Sequence, residues 1–517
     1  MSVARAIRRM IQGSVKPRIG EGIDLSLEIK NFGPITKGKL KIKPLTLFIG
    51  PNNSGKSYAA MLIHSLFGSG SSAGLDMHMP FAVRRRLSIL RSLEFDRSWQ
   101  KKVYGDLQSF LKSKSDTLKE GNSIEIPDSL VEKTTDIATD KIYGERLGKE
   151  IARSYSAPLK DLIRIGTRSF LLKIGFNSEM VSLRLKKNHL EVIEHPQVTF
   201  KIKIEPVDAT ENEWVIGTKE NGKYWIIQVY KNLIEDDDYR SIIVTEILRI
   251  CINGVVKKLN APSYYLPAAR SGILQSHKLA AAGIMRKIPL IGVEEIDIPK
   301  FSGVVAEFMA SILELPERKG YFYSLAEELE KELIKGEIIF KTLDSYTYPE
   351  IRYKFSDTDI PLHRSSSTVS ELAPLILYLK YIVEPGSVLI IEEPETHLHP
   401  KNQRILARFL VKLVRHGVNI IITTHSEYLL DQLSNFIMLG KIEPKDRVKK
   451  YEYDKDDYLT IDDIAAFVFD MDNKSGGSAI KEVEITEEDG ISQEEFVKIQ
   501  DVLYDEIIKI RKDLNVE

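Results

Sequence analysis

A stretch near the N-terminus places glycines, a lysine and a serine at the spacing that binds phosphate. It runs Gly50-Pro-Asn-Asn-Ser-Gly-Lys-Ser57, and its glycines let backbone N–H groups point at an anion. Lys56 would reach the β- and γ-phosphates, and the Ser57 hydroxyl would ligate Mg²⁺. The residues expected to contact the nucleotide are Gly50, Asn52, Asn53, Ser54, Gly55, Lys56, Ser57 and Tyr58.

Two acidic residues end an apolar run in the last third of the chain. Residues 388–391 are all apolar, and Glu392 and Glu393 follow them. Unpaired buried carboxylates are costly, so two acids at this point indicate chemistry rather than stability. Phosphoryl transfer depends mainly on positioning and charge stabilisation. We therefore expect Glu392 to hold the Mg²⁺ shell and Glu393 to orient or deprotonate the attacking water; the alternative is a pair of solvated acids.

A histidine follows the next apolar run. Residues 418–422 are largely apolar, and Thr423, Thr424 and His425 come directly after them. A neutral imidazole at such a position can hydrogen-bond a γ-phosphate and respond to its presence. The alternative is a histidine that only completes a turn. We expect His425 to act with Lys56 and Glu393 in catalysis.

Each of these residues lies beyond a predicted buried strand. Residues 45–49 form one strand, and a helix with a wide apolar face follows the glycine-rich loop. Helices are predicted at 369–383 and 401–413, on either side of the strand that carries the two acids. Strands that alternate with helices imply a parallel α/β core, in which ligands bind at the carboxyl ends of the strands.

Composition limits the class of protein. The 517 residues are 43% hydrophobic and 28% charged with a net charge of −1, which is typical of a soluble globular protein. The single cysteine, Cys251, fits a reducing compartment, so we predict a cytoplasmic location. No apolar stretch approaches the roughly 20 residues of a membrane span. Near-zero net charge gives no global attraction to nucleic acid, so any DNA contact would need a local patch such as 84–86, which is Arg-Arg-Arg.

The order of the motifs resembles that of ABC-type ATPases of the OLD, RecF and SMC group. The matching segments are GPNNSGKS at 50–57, SSSTVSEL at 365–372, LIIEEPETHLHP at 389–400 and TTHSEYLL at 423–430. The likeness covers 24–66 and 260–440 and is greatest to OLD-like ATPases without a Toprim domain. Many of these belong to anti-phage systems, with the PARIS-type and Septu ATPases as examples and the PARIS type slightly preferred.

The resemblance implies an α/β fold: an ABC-type P-loop ATPase head with an N-terminal antiparallel β-subdomain, a helical insertion and a small C-terminal lobe. The domains expected from it are the N-terminal ATPase part at 24–68, the insertion at 69–176, the rest of the ATPase at 177–440 with a helical segment near 270–335, and the lobe at 441–517.

The family also implies ATP and Mg²⁺ as cofactors and two heads that enclose two nucleotides. Lys56 and Ser57 correspond to Walker A, Glu392 and Glu393 to Walker B, and His425 to the switch histidine. Ser366, Ser367 and Thr368 stand where the signature loop should contact the other subunit's γ-phosphate. The glycine pair of that signature is missing, so close backbone approach to phosphate is in question, and Glu392 replaces the commoner aspartate.

A further segment, 265–272, resembles a motif of the same OLD-like group. Gln275, three residues beyond it, is the candidate for the Q-loop residue that senses Mg²⁺ or water. Arg270 is the candidate for a phosphate or partner contact. Either residue could instead be structural.

The expected function is an ATP-hydrolysing switch, the sensor or scaffold of a prokaryotic anti-phage system. It would assemble as a homodimer or higher homo-oligomer through ATP-bound heads and control a separate Toprim-type nuclease. The alternatives are a RecF- or SMC-like DNA-repair ATPase, a scaffold that binds ATP with little turnover, and a self-contained nuclease that uses Asp470 and Asp472. DNA is a possible partner, and no membrane is expected.

Overall fold

The computed structural model describes most of the chain, which divides into two compact units. Unit 1 contains 1–64, 153–156 and 262–517, and unit 2 contains 65–152 and 157–261. The described residues are 22–67, 97–176, 179–197, 201–206, 214–218, 224–227, 237–256, 259, 261–276, 301–316, 318–341, 350–472 and 476–513.

The strands of the described residues are numbered in chain order. They are β1 (Leu25–Phe32), β2 (Ile35–Ile42), β3 (Leu45–Ile49), β4 (Ile124–Glu125), β5 (Leu171–Phe176), β6 (Glu179–Lys186), β7 (His189–Glu194), β8 (Ile202–Pro206), β9 (Trp214–Thr218), β10 (Tyr224–Ile227), β11 (Ser263–Leu266), β12 (Glu337–Lys341), β13 (Glu350–Phe355), β14 (Thr358–Pro361), β15 (Val388–Glu392), β16 (Asn419–Thr424), β17 (Ile464–Asp472), β18 (Gly477–Glu482), β19 (Ile485–Thr486) and β20 (Gly490–Ile491).

The α-helices follow the same scheme. They are α1 (Lys56–Phe67), α2 (Arg97–Ser113), α3 (Ser115–Lys119), α4 (Asp128–Thr139), α5 (Leu147–Tyr155), α6 (Asp237–Val256), α7 (Gly303–Leu313), α8 (Tyr323–Leu329), α9 (Ser367–Tyr381), α10 (Pro400–Arg415), α11 (Glu427–Leu439), α12 (Pro444–Tyr451) and α13 (Glu494–Asp513). Residues 270–276 are also helical.

Unit 1 is built on one large sheet. Its strands run in the order β11-β15-β16-β3-β17-β18-β2-β1. The first five are parallel to their neighbours, β18 is antiparallel to β17, and β1 pairs with β2 as an antiparallel hairpin. A separate small sheet contains β12, β13 and β14. The predicted parallel core and N-terminal antiparallel strands are therefore both present.

The three strands at the centre of the sheet are apolar along their whole length because both of their faces are covered. Every residue of β3, β15 and β16 is buried. Continuous Leu, Ile and Val runs are typical of parallel strands with helices on both faces. Their register is tight: Ile49 lies opposite Thr424, and Glu392 lies opposite Thr423. The segments after these strands therefore leave the sheet at the same edge.

The segment predicted as a small C-terminal lobe contributes two strands to this sheet. β17 pairs with β3 in parallel, with Phe467 opposite Phe48, and the two rings meet edge to face at 6.3 Å. β18 then pairs with β2. Because β17 lies between β3 and β18, residues 464–482 belong to the core of unit 1. Strand order is a tertiary property, so the apolar run at 464–469 could not show this placement.

Unit 2 combines helices with two groups of strands. The predicted helical segments at 99–111 and 141–153 are found in α2, in α5 and in the π-helical turn Asp140–Arg146 that joins α4 to α5. β5, β6 and β7 form an antiparallel meander, and β4, β8, β9 and β10 form a second sheet. α4 and α6 bury Val131, Ile247 and Cys251. The predicted helix at 84–93 lies outside the described residues.

Among the helices of the described residues, none is both long and apolar enough to cross a bilayer.

Candidate active site

The glycine-rich loop has a backbone that suits anion binding. Gly50 and Gly55 have φ angles of +140° and +95°, and Asn53 has +62°. A Cβ on Gly50 would lie 2.7 Å from the carbonyl oxygen of Phe469, so β17 packs directly against the loop. Positive φ and this close approach both require glycine at position 50. The loop then passes into α1, whose N-terminus attracts anions.

The side chains of the loop differ in exposure. Asn52, Asn53 and Ser57 are exposed, whereas Ser54 is buried. The Ser54 carbonyl accepts a hydrogen bond from Ser478 Oγ at 2.5 Å, which ties β18 to the loop. Tyr58 is half-buried, and its ring lies 5.1 Å from that of Tyr155.

Lys56 lies folded into its own loop. Its Nζ donates to the carbonyl oxygens of Gly50 and Pro51, both at 2.9 Å, and the residue is 6% exposed. Burial lowers the pKa of Lys56 to about 8, although the negative charges of Glu393, Glu395 and Glu392 oppose this effect. A buried ammonium bound only by neutral carbonyls is well prepared to accept an anionic partner.

The tip of β15 carries the two predicted acids in different environments. Glu392 is 8% exposed; its Oε2 accepts from the Ala268 N–H at 3.0 Å, and its Oε1 is buried with no hydrogen-bond partner among the residues that the structure describes. Glu393 has φ +42°, a left-handed conformation that costs free energy in a residue with a side chain. Its N–H donates to the Thr423 carbonyl at 2.9 Å, which fixes this turn to β16.

His425 faces Glu393 from the end of β16. Its Nε2 lies 3.8 Å from Glu393 Oε1 and is buried, with no hydrogen bond to any described residue. Burial lowers the pKa of His425, and the positive charge of Lys56 lowers it further, while Glu393 raises it. The imidazole is therefore neutral at physiological pH, with one ring nitrogen free to bond a ligand.

Glu395 is a residue of the site that the sequence analysis did not single out. Its Oε1 accepts from Thr424 Oγ1 at 2.7 Å and from the His425 N–H at 2.8 Å. Its Oε2 is buried and has no hydrogen-bond partner in the described part of the chain, and burial raises the pKa of the carboxyl. The signal that could have revealed it is a third acid two residues after Glu393, on the turn that leaves a fully buried strand.

The predicted signature serines lie at a helix N-terminus. Ser366 is the N-cap of α9, and its side chain accepts from the Val369 N–H at 3.4 Å. Ser366 and Ser367 are exposed, and Thr368 Oγ1 donates to the His397 carbonyl at 3.0 Å. The exposed end of α9 thus presents two hydroxyls and unpaired backbone N–H groups to solvent.

Arg270 and Gln275 differ in exposure: Arg270 is buried and Gln275 is exposed. Arg270 is 2% exposed and donates to backbone carbonyls of unit 1, which favours the structural role that the sequence left open over a contact with phosphate or a partner. A charged side chain is expected at the surface, and only tertiary contacts reveal this burial. Gln275 is exposed on the helical stretch 270–276, and its role as a Q-loop residue stays a prediction.

The residues fit a magnesium nucleotide rather than a metal held by protein alone. The described part of the chain contains no group of three or more His, Cys, Asp or Glu side chains able to hold a metal. Mg²⁺ bound with a nucleotide takes few protein ligands and completes its shell with water and phosphate. The unpaired Oε1 of Glu392 and the exposed hydroxyl of Ser57 would supply those ligands.

An open cleft of about 500 Å³ lies beside these groups. It is lined by Glu393, Glu395, Thr396, Gln403, His425, Ser426, Glu427 and Tyr428.

Asp470 is hydrogen-bonded to Lys481 at 2.6 Å, so the pair of aspartates that a nuclease would use is partly neutralised. The arginines at 84–86 lie outside the described residues.

One family model, for an ATPase domain, matches two segments of the chain. Residues 25–139 and 297–430, just under half of the sequence, match the family described as AAA ATPase domain. This match includes the P-loop, the two glutamates at the end of β15 and His425. A search of curated proteins finds no match.

Solved structures with detectable similarity include three SMC heads. An SMC head bound to the C-winged helix domain of ScpA is 12% identical, with 90% of this chain and 99% of that chain covered and a TM-score of 0.35. The SMC head domain from Thermotoga maritima is 13% identical, with 89% and 98% covered and a TM-score of 0.30. An Smc head with an extended coiled coil, bound to the C-terminal domain of ScpA derived from Pyrococcus furiosus, is 12% identical, with 93% and 98% covered and a TM-score of 0.31.

Proposed function

We propose that this chain binds ATP with Mg²⁺ and hydrolyses it as an ABC-type switch protein. The observation that carries the proposal is the convergence of three segments at one sheet edge. The P-loop after β3, Glu393 after β15 and His425 after β16 leave parallel neighbouring strands in matched register. Burial lowers the pKa of Lys56 to about 8, and the negative charge of Glu393 opposes this effect.

Each group has a distinct task in this proposal. Lys56 exchanges its loop carbonyls for phosphate oxygens and neutralises charge on the β- and γ-phosphates. Glu393 orients a water molecule and accepts its proton, and the neutral His425 uses Nε2 to hydrogen-bond the γ-phosphate. Glu392 and Ser57 would hold Mg²⁺, which would supply stabilisation of negative charge on the phosphates. Glu395 holds the His425 backbone and hence the imidazole in place.

The proposal also covers how the chain assembles and which biological role it has. The exposed hydroxyls of Ser366 and Ser367 at the start of α9 suit contact with a nucleotide held by a second copy of the chain. ATP would then close a homodimer or larger oligomer, and hydrolysis would open it. The motif resemblance to OLD-like ATPases supports a role as the sensor or scaffold of an anti-phage system that controls a separate Toprim-type nuclease.

ATP turnover together with particle size tests the proposal. The wild-type chain is expected to release phosphate and to assemble with ATP, and Lys56→Ala is expected to do neither. Glu393→Gln should bind ATP and remain assembled while turnover falls at least about a hundredfold, because the water is no longer activated. Equal turnover in the wild-type and Lys56→Ala proteins would reject the proposed site. An unchanged assembly state in Glu393→Gln with ATP would favour a scaffold with little turnover.

A row of lysines favours a second candidate, a RecF- or SMC-like DNA-binding ATPase. Lys37, Lys39 and Lys41 are exposed on one face of β2, and none of them has an ion-pair partner among the residues described. Alternate residues of a strand lie roughly 7 Å apart, which suits contact with successive phosphates. DNA-stimulated turnover that disappears in a triple Lys→Gln variant at these positions would favour this candidate, and DNA-independent turnover would reject it.

A further inference from the structure

Arg270 connects segments that are far apart in the sequence. Its Nη1 donates to the Glu392 carbonyl at 2.8 Å and more weakly to the Pro267 carbonyl at 3.4 Å, and Nη2 reaches the Glu393 carbonyl at 3.4 Å. Its Nε donates to the Glu371 carbonyl at 2.9 Å. One guanidinium thus holds the backbone at the tip of β15 and the backbone of α9.

The charge of Arg270 is balanced from α9. The Glu371 carboxylate is 3% exposed, and its Oε2 lies 3.3 Å from Arg270 Nε. Ser271 Oγ donates to Glu371 Oε1. Glu371 lies four residues after Ser367, the first residue of α9, so the ion pair sits behind the exposed N-terminus of that helix.

The geometry makes the two segments depend on each other. The guanidinium is planar and its donors have fixed directions, so it cannot follow one carbonyl without moving away from another. Because the pair is buried, loss of any partner leaves a polar or charged group without compensation. A shift of the first turns of α9 must therefore either move the tip of β15 or break this network.

We propose that Arg270 is a positioning residue that links the N-terminus of α9 to the backbone of Glu392 and Glu393. The inference rests on the proposed function, because the proposed function assigns the roles of the α9 serines and of the Glu393 carboxylate. When a second copy engages Ser366 and Ser367, the Arg270–Glu371 pair holds Glu393 in its active orientation. Arg270 itself touches neither the nucleotide nor the water.

The experiment compares two buried ion pairs of unit 1. Arg270→Lys keeps the charge but loses the fork, and Glu371→Gln keeps the shape but loses the charge. The control is Glu330→Gln, since Glu330 is equally buried and pairs at 2.8 Å with Lys380, which lies in the last turn of α9, at the opposite end of the helix from Ser366 and Ser367. The measurements are kcat and KM for ATP, the affinity for a non-hydrolysable ATP analogue, and the thermal midpoint of unfolding.

The expected result separates positioning from stability. Arg270→Lys and Glu371→Gln should lower kcat by roughly tenfold to a hundredfold, because a misplaced reacting group costs that much, with KM and analogue affinity within about twofold of wild type. Glu330→Gln should lower the unfolding midpoint as Glu371→Gln does, yet keep the wild-type kcat. Ser271→Ala, which removes only one hydroxyl, should lower kcat with a smaller fall in the midpoint than Glu371→Gln.

Two outcomes would overturn the inference. The first is a kcat that falls equally in Glu330→Gln and Glu371→Gln, since the effect would then follow general stability. The second is wild-type kcat in both Arg270→Lys and Ser271→Ala. If Glu371→Gln does not fold, the kcat values of Arg270→Lys and Ser271→Ala test the inference. Failure of the proposed function looks different, because Lys56→Ala would then match the wild-type turnover.

Discussion

Glu393, the proposed general base, has an unfavourable backbone conformation. Its φ of +42° is rare for a residue with a side chain, and the surrounding contacts must hold it there. Thr423 supplies them through its carbonyl and its hydroxyl, which both accept from the Glu393 N–H, at 2.9 and 3.2 Å. The carboxylate receives a hydrogen bond from Thr396 at 3.3 Å. The backbone at Glu393 is therefore strained, in the conformation that places its carboxylate beside His425.

Two substitutions at this position should separate catalysis from strain. Glu393→Gly and Glu393→Ala both remove the carboxylate, so both should lose turnover. Only glycine adopts positive φ without cost, so Glu393→Gly should be about 1 kcal/mol more stable than Glu393→Ala. Urea unfolding of the two variants measures the difference. Equal stabilities would show that the backbone at 393 is unstrained.

Lys56 predicts a dependence of stability on pH. Its pKa in the folded chain is about 8, below the ordinary value of 10.5. Between these values the unfolded chain binds more protons, so the contribution of Lys56 to the free energy of unfolding rises with pH and is constant below about pH 8. Urea unfolding at pH 7.5 and 9.5 should show this rise in the wild type. The matched variant Lys56→Met should lack it, and parallel profiles would contradict a lowered pKa.

At the scale of the element, the N-terminus of α9 serves two purposes. Ser366 caps the helix, and its exposed hydroxyl is proposed to meet a nucleotide of the second copy. Ser366→Ala should cost about 0.5–1 kcal/mol of stability as a lost cap and lower turnover at least about tenfold. Thr460→Ala is the control, since Thr460 caps the turn Ile461–Asp463. A similar loss of stability with unchanged turnover in both variants would remove Ser366 from the site.

The sequence predicted the individual strands better than it predicted which strands lie next to one another in the sheet. The apolar runs at 45–49, 388–391 and 418–422 are strands, and the residues after them lie at one edge, because parallel strands bring their carboxyl ends together. The place of β17 beside β3 could not be predicted, since an apolar run carries no information about its partner. The sequence could not decide between a ligand contact and a structural role for Arg270 for a similar reason: its charge is visible in the sequence, but its burial is not.

At the scale of the molecule, unit 1 depends on residues near both ends of the chain. β3 lies between β16 and β17, and β1 and β2 follow after β18. Ile464, Phe467 and Phe469 of β17 are buried. Their removal would expose the apolar edge of β3 and the backbone of the P-loop.

Two truncations test this arrangement. A chain that ends at residue 463 loses β17 and β18 and should fail to give a cooperative thermal transition. A chain that ends at 500 loses residues 501–517, which include the exposed Leu503, Tyr504 and Ile507 of α13, and should melt within about 3 °C of the full chain. Circular dichroism with heating compares the two. Cooperative melting of the shorter chain would show that residues 464–517 form an independent lobe.

The position of β3 between two late strands also bears on protein synthesis. The ribosome completes the P-loop after only a tenth of the chain, but β16 and β17 emerge more than 360 residues later. Long-range pairing of this kind is slow to form and leaves early segments unprotected. Nascent chains should therefore be unable to bind ATP until translation is nearly finished, and the exposed apolar strand β3 would be a natural target for chaperones until then.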